Sequence, residues 1–234
     1  MKPRRLTREQ SKNQTRERLL SAARASFLKK GYVAASVEEI ATAAGYTRGA
    51  FYSNFRGKTE LLLELLARDQ NEVQAELQRI FEASGTWGEV KRAVLACYRK
   101  LYLRHASFLL WMEAKLHAAR DLRFRAHFDP LLNKKLEQIT AYIGTFAERT
   151  GVPLSLPAEI LALGLMGLCD GLQSCYATNP RYMTDELTEA VLAGFLAHAM
   201  IRGKPTIPGS RTGFCARGGK HHRNSGPRRA RSEA

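Results

Sequence analysis

From Thr15 to about Met200, apolar residues recur every three or four positions with no run of alternating β-branched residues, which predicts an all-α chain. A first helix is expected from about Thr15 to Lys30, with Leu20, Ala23 and Phe27 on one face and Gly31 as its stop. Ser36-Val-Glu-Glu39 has the spacing of a capping box, in which a hydroxyl and a carboxylate satisfy each other's orphan backbone donors. A short helix over about 37–44 follows it, then a turn at Gly45 and a third short helix over about 48–54, capped by Thr47. From Lys58 the stripe Leu61, Leu62, Leu65, Leu66, Val73, Leu77 and Ile80 keeps one face apolar for about 24 residues, roughly 35 Å of helix. Beyond the break at Gly85-Thr-Trp-Gly88, helices are expected at about 88–104, 107–119, 124–148, 157–177 and 184–201.

Charge divides the chain further. Of 234 residues, 37 are Lys or Arg and 22 Asp or Glu, a net charge of +15. Residues 1–18 hold +5 and residues 202–234 hold +8, which leaves +2 for the 183 between them. Basic ends on a near-neutral body point to a polyanionic partner, nucleic acid or an anionic membrane surface. Residues 1–14 read as a flexible basic arm. Residues 202–234, with six Gly, three Pro and nine basic residues, read as a disordered basic tail. The N-terminus is polar without an apolar segment behind it, and the longest apolar stretch, Ile160–Cys169, is short for a membrane span. No membrane partner is therefore expected, and the cytoplasm is the default location. Cys97, Cys169, Cys175 and Cys215 are too scattered for a disulfide framework.

Two short helices across a glycine turn, backed by a preceding helix, make a helix-turn-helix over 15–57. Ala41 and Ala44 let the helices cross closely, and Gly45 allows the turn. The third helix then offers Thr47, Arg48, Gly49, Tyr52, Ser53 and Asn54: hydroxyls, a guanidinium and an amide, groups that reach base edges and phosphates. The string Ser36-Val-Glu-Glu-Ile-Ala-Thr-Ala-Ala-Gly45-Tyr-Thr-Arg-Gly-Ala-Phe-Tyr-Ser-Asn-Phe-Arg-Gly-Lys58 resembles the signature of the TetR/AcrR family of bacterial transcriptional regulators. The likeness covers about residues 15–65. It implies an N-terminal DNA-binding domain followed by a larger helical domain that senses a ligand and dimerises, over 58–201. It further implies that Thr47, Arg48 and Gly49 face the major groove, that Tyr52 and Lys58 grip phosphates, and that Ser36 anchors another phosphate. Tyr46, Asn54 and Gly57 depart from the family pattern, and Asn54 is kept among the DNA-binding candidates.

In the second part, the segment 158–174 is apolar nearly all round, with Gly164, Gly167, Gly171 and Ser174 every three or four residues. Such a helix must be covered on both sides, and with Leu187, Val191 and Phe195 it suits a four-helix dimer interface. An effector pocket is expected among Phe108, Trp111, Met112, Leu116, Phe128, Tyr142 and Phe146, large side chains of the middle helices. Asp170 is expected to hydrogen-bond across the interface and Glu113 to face solvent. Cys215, His221 and His222 lack the pairing of a metal site, and no nucleophile elbow, phosphate loop, dinucleotide fingerprint or His-Glu-x-x-His occurs. No cofactor, metal or catalysis is expected.

The resulting expectation is a homodimeric regulator, a repressor, that binds a palindromic double-stranded operator and is released by a small hydrophobic effector. The alternatives are a DNA-binding protein without small-molecule response, its basic ends giving sequence-independent phosphate affinity, and an all-α enzyme or carrier.

Overall fold

The computed structural model describes residues 7–83, 86–102, 105–151 and 153–200. The expected tail at 202–234, with Cys215, His221 and His222, lies outside them. The described residues form α1 Arg8–Lys30, α2 Val37–Ala43, α3 Arg48–Tyr52, α4 Lys58–Glu82, α5 Trp87–Cys97, α6 His105–Arg120, α7 Leu122–Thr150, α8 Ala158–Thr178 and α9 Asp185–Met200, with a π-helical turn Tyr98–Tyr102 after α5. No strand occurs among them, so the all-α expectation stands.

The start of α1 differs most from the expected boundaries. Thr7 Oγ1 accepts from the Gln10 N–H at 3.2 Å, and Gln10 Oε1 accepts from the Thr7 N–H at 2.9 Å. This capping box starts the helix seven residues before Thr15, so residues 8–14 are helical rather than part of a loose arm. Their Arg, Glu, Gln and Lys side chains are good helix formers although they carry no apolar stripe. At the start of α4, Gly57 offers no capping side chain, and Glu60 Oε2 accepts the Arg56 N–H at 2.6 Å instead. Asp121 separates α6 from α7 by accepting from the Arg123 and Phe124 N–H groups, which hold its carboxyl below the usual carboxylate range.

The largest core joins the first four helices to two from the middle of the sequence. Leu19, Leu20, Ala23 and Phe27 of α1, Ile40 and Ala41 of α2, Phe51 of α3 and Leu61, Leu62, Leu65 and Leu66 of α4 pack together. Leu110, Ala114 and Ala118 of α6 and Phe124 and Phe128 of α7 belong to the same buried cluster. The three-helix unit is thus sealed by α6 and α7, and no break falls at residue 57 within the compact unit that contains the described residues. Two smaller cores hold the rest, one around Leu95, Tyr98, Leu172, Met183 and Leu192, the other around Ile143, Phe146, Leu161 and Ala162.

Glu113 on α6 adds a polar tie. Its Oε2 accepts from the Tyr32 N–H at 2.9 Å, next to Gly31, whose φ of +80° suits glycine alone. It does not face solvent, because the closure of α6 over the loop after α1 brings it to an otherwise unpaired backbone donor. Asp170 pairs with Lys115 of α6 in its own chain, not across an interface. By length and composition α8 is also long and apolar enough to cross a membrane, contrary to the reading of Ile160–Cys169 alone. Here it buries Leu161, Ala162, Leu172 and Gln173 within the chain and carries the paired Asp170.

Candidate nucleic-acid interface

Gly45, with φ +79°, makes the turn between α2 and α3, while the Tyr46 N–H donates back to the Ala41 carbonyl at 2.8 Å. Tyr46 is half-buried against the core, so its ring serves the turn rather than the exposed face. Thr47 caps α3 by accepting from the Ala50 N–H at 3.2 Å. Phe51 is fully buried and sits 6.0 Å from the Phe55 ring, which anchors the five-residue helix from below. Its outer side then carries Arg48, Gly49 and Tyr52, all exposed. The Arg48 guanidinium lies 5.5 Å from the Tyr52 ring centroid and 2.8 Å from a carboxylate oxygen of Glu38 on α2. Thr47, Arg48, Gly49 and Tyr52 are therefore brought together on one surface, with Glu38 as an internal counter-ion.

Three other expected contacts have different employment. Ser36 caps α2 by accepting from the Glu39 N–H at 3.1 Å, and Glu39 in turn pairs with Lys30 at 2.6 Å. The Lys30 hydrogen bond, followed by the Ser36 backbone N–H, holds the Glu39 carboxyl below its usual range. An anion already sits at that helix end, where it competes with a phosphate for the positive end of α2. Asn54 turns inward: its Nδ2 donates to the Ala50 carbonyl at 2.9 Å, and its backbone carbonyl accepts from Arg16 of α1. Lys58 gives its three N–H bonds to the carbonyls of Tyr32, Val33 and Ala35, at 2.9, 2.8 and 3.1 Å. Burial pushes its ammonium below the usual lysine range. Lys58 is thus a clasp between α4 and the loop before α2, and no donor remains for a phosphate. Lys58→Met should cost about 1–3 kcal/mol in urea unfolding and leave the salt slope of DNA binding unchanged. A shallower slope at unchanged stability would return Lys58 to the phosphate role.

Residues 58–200 hold two neighbouring cavities of about 120 Å³ and 60 Å³, which share Leu77, Lys135, Ile139 and Tyr142 as a common wall. Phe108 and Trp111 line the smaller one, Phe146 the larger, and Tyr142 both. Met112 and Leu116 do not line either cavity; they are exposed on α6, about 100° and about 140° round the helix from Trp111. Phe128 is fully buried in the largest core, against Phe124, because the start of α7 belongs to that core. The sequence reading missed Gln70, Lys135 and Gln138 in the smaller cavity and Cys97 and Cys169 in the larger. Gln70 carried a signal: it interrupts the apolar stripe of α4 between Leu66 and Val73. The two thiols are inert, since burial pushes Cys97 to about 11 and Cys169 to about 12.

On α8 and α9, Leu163, Gly164, Gly167, Gly171, Leu187 and Val191 are exposed, while Ser174 and Phe195 are half-buried. The Phe195 ring lies 3.6 Å from where a Gly164 side chain would begin, so that glycine also lets α9 approach α8 within the subunit.

Residues 19–65 match the profile of bacterial regulatory proteins, tetR family. The HTH-type transcriptional regulator TtgR of Pseudomonas putida is 29% identical over 180 residues, 72% of this chain and 82% of that protein. The HTH-type transcriptional repressor AcnR of Corynebacterium glutamicum is 26% identical over 181 residues, 76% of this chain and 88% of that one. The chain belongs to the tetR family of bacterial regulatory proteins. Its class is that of DNA-binding transcription regulators, not enzymes. The fold likeness extends over the TetR-family body as a whole. SmeT, the repressor of the Stenotrophomonas maltophilia multidrug efflux pump SmeDEF, aligns with a TM-score of 0.60 at 23% identity, over 83% of this chain and 94% of that one. The SmeT–triclosan complex aligns at 0.65, with 21% identity over 86% of this chain and 99% of that one. Within this TetR-family domain Arg16 and Glu38 were not legible as site residues, since each acquires its role only from a neighbour brought in by the fold.

Arg48→Ala should cost about 1–3 kcal/mol on the preferred operator and relax preference at one base position. Glu38→Gln, which frees the guanidinium, should act in the opposite direction. Equal loss on all sequences for Arg48→Ala, in competition binding, would remove it as a base reader.

Proposed function

We propose that the protein is a homodimeric repressor that places α3 of each subunit in the major groove of one half of a palindromic operator and leaves it when a small hydrophobic effector enters the cavities of residues 58–200. Thr47, Arg48, Gly49 and Tyr52 make the groove and phosphate contacts, and the work is cytoplasmic, where the operator is. The continuous core carries this reading: α6 and α7 share the buried core of α1–α4 at one end and line the cavities further along, so one pair of helices joins the cavities to the domain that carries α3. An effector shifts the equilibrium only if it binds the DNA-incompetent conformer more tightly, and the shared helices supply the physical link. Dimerisation is supported by the exposed apolar faces of α8 and α9, and effector binding by the existence of a triclosan complex of SmeT.

The test is selection of genomic fragments by the purified protein at about 0.15 M salt, followed by sequencing. Enrichment of a near-palindrome that drives lower transcription when bound supports the repressor. Capture of fragments without a shared sequence favours the non-responsive, charge-driven alternative.

A further inference from the structure

We propose that the effector is a neutral ring-sized molecule carrying one hydroxyl, whose O–H donates to Oε1 of Gln70 while its apolar body fills the larger cavity. This rests on reading residues 58–200 as the effector-binding part. Gln70 is 6% exposed and lies on the wall of the smaller cavity. Its Nε2 donates to Gln138 Oε1 at 3.0 Å, and Gln138 Nε2 donates onward to Gln74 Oε1 at 2.6 Å. This one-way relay of amides begins at Gln70, whose Oε1 is a buried acceptor with no donor among the described residues. A buried acceptor left without a donor is costly, so a ligand that brings one gains more than the bond is worth in water.

The surroundings select the rest of the molecule. Beyond the shared wall the larger cavity is lined mostly by apolar side chains, among them Phe81, Val94, Ile143, Phe146, Met166 and Leu192, which offer dispersion contacts. Apolar cavities of about 150 Å³ take up benzene, and about 120 Å³ next to a further 60 Å³ matches one ring with a short substituent. Charge argues for neutrality. The acids on the smaller cavity's wall include Asp69, held by Arg24, and Asp170, held by Lys115. Lys135 stands over the Trp111 ring at 4.7 Å, and burial pushes it below the usual lysine range, so this wall disfavours charge. A phenol or a small alcohol meets all of these conditions; an ammonium or a carboxylate does not.

The experiment is calorimetric titration of the full-length protein with 4-propylphenol and with 4-propylanisole, its methyl ether, which has the same body and no donor. The phenol should bind about tenfold more tightly, about 1.4 kcal/mol, and Gln70→Met should bring the two to equal affinity. Equal affinities in the wild type, a preference that survives Gln70→Met, or no binding of either compound overturns the proposal. The wild-type ratio decides even if the variant fails to fold. Operator release is read separately by fluorescence anisotropy. Binding of the phenol without release overturns the effector reading and leaves the site standing. Release with no preference between phenol and ether does the reverse.

Discussion

Leu163→Arg is expected to yield a folded monomer that binds its operator about 10²–10⁴-fold more weakly. Leu163 is 58% exposed on α8, beside the exposed Ile160 and Gly167, so a charge there disturbs no packing within the subunit. In a dimer the same position is desolvated, and an unpaired guanidinium in an apolar contact is strongly unfavourable. The effect on DNA follows from linkage. Once one half-site is held, the second recognition helix sees its half-site at an effective concentration that a monomer lacks, and that advantage is typically two to four orders of magnitude. Analytical ultracentrifugation reads the mass and anisotropy titration the affinity. A variant that stays dimeric would move the interface away from this face of α8.

Phe51→Ala should be the most destabilising truncation in the N-terminal region, at about 3–5 kcal/mol. Phe51 is fully buried, ties α3 to the ring of Phe55 and shares its core with α6 and α7. Because that core is continuous, the loss should shift a single unfolding transition followed by far-UV circular dichroism. A separate early transition of the first 57 residues would contradict the shared core. A shift below about 1 kcal/mol would mean that α3 is held by its cap and turn rather than by this ring. DNA binding should fall with stability, in contrast to Arg48→Ala, which touches the exposed face alone.

Much of the fold was readable along the chain because it depends on neighbours three or four residues apart. The apolar stripe of α4, the capping boxes at Ser36 and the turn at Gly45 appear where their spacing places them. So does the pairing of buried Phe51 with exposed Tyr52. The start of α1 was not legible in the apolar pattern although its Thr7-x-x-Gln10 box is equally local, because residues 8–14 carry no apolar stripe. The site was legible where exposure follows from helical phase, as for Arg48 and Tyr52. It was illegible where a side chain finds its partner across the fold. Lys58, 26 residues from Tyr32, spends its charge on carbonyls, and Asn54 bends back onto α3.

What the sequence by itself determined, then, is the all-α class, the helix-turn-helix and its outward-facing groups, since backbone capping, glycine turns and amphipathic period act within a few residues. Only the tertiary structure decided that Glu113 meets the Tyr32 N–H 81 residues away, that Phe128 joins the first core, and that Met112 and Leu116 lie outside the cavities. It alone brought Gln70, Gln138 and Gln74 into one relay from two helices. Such contacts depend on how whole helices pack, and a polar side chain's local sequence looks the same whether packing gives it water, a backbone donor or an empty cavity to face.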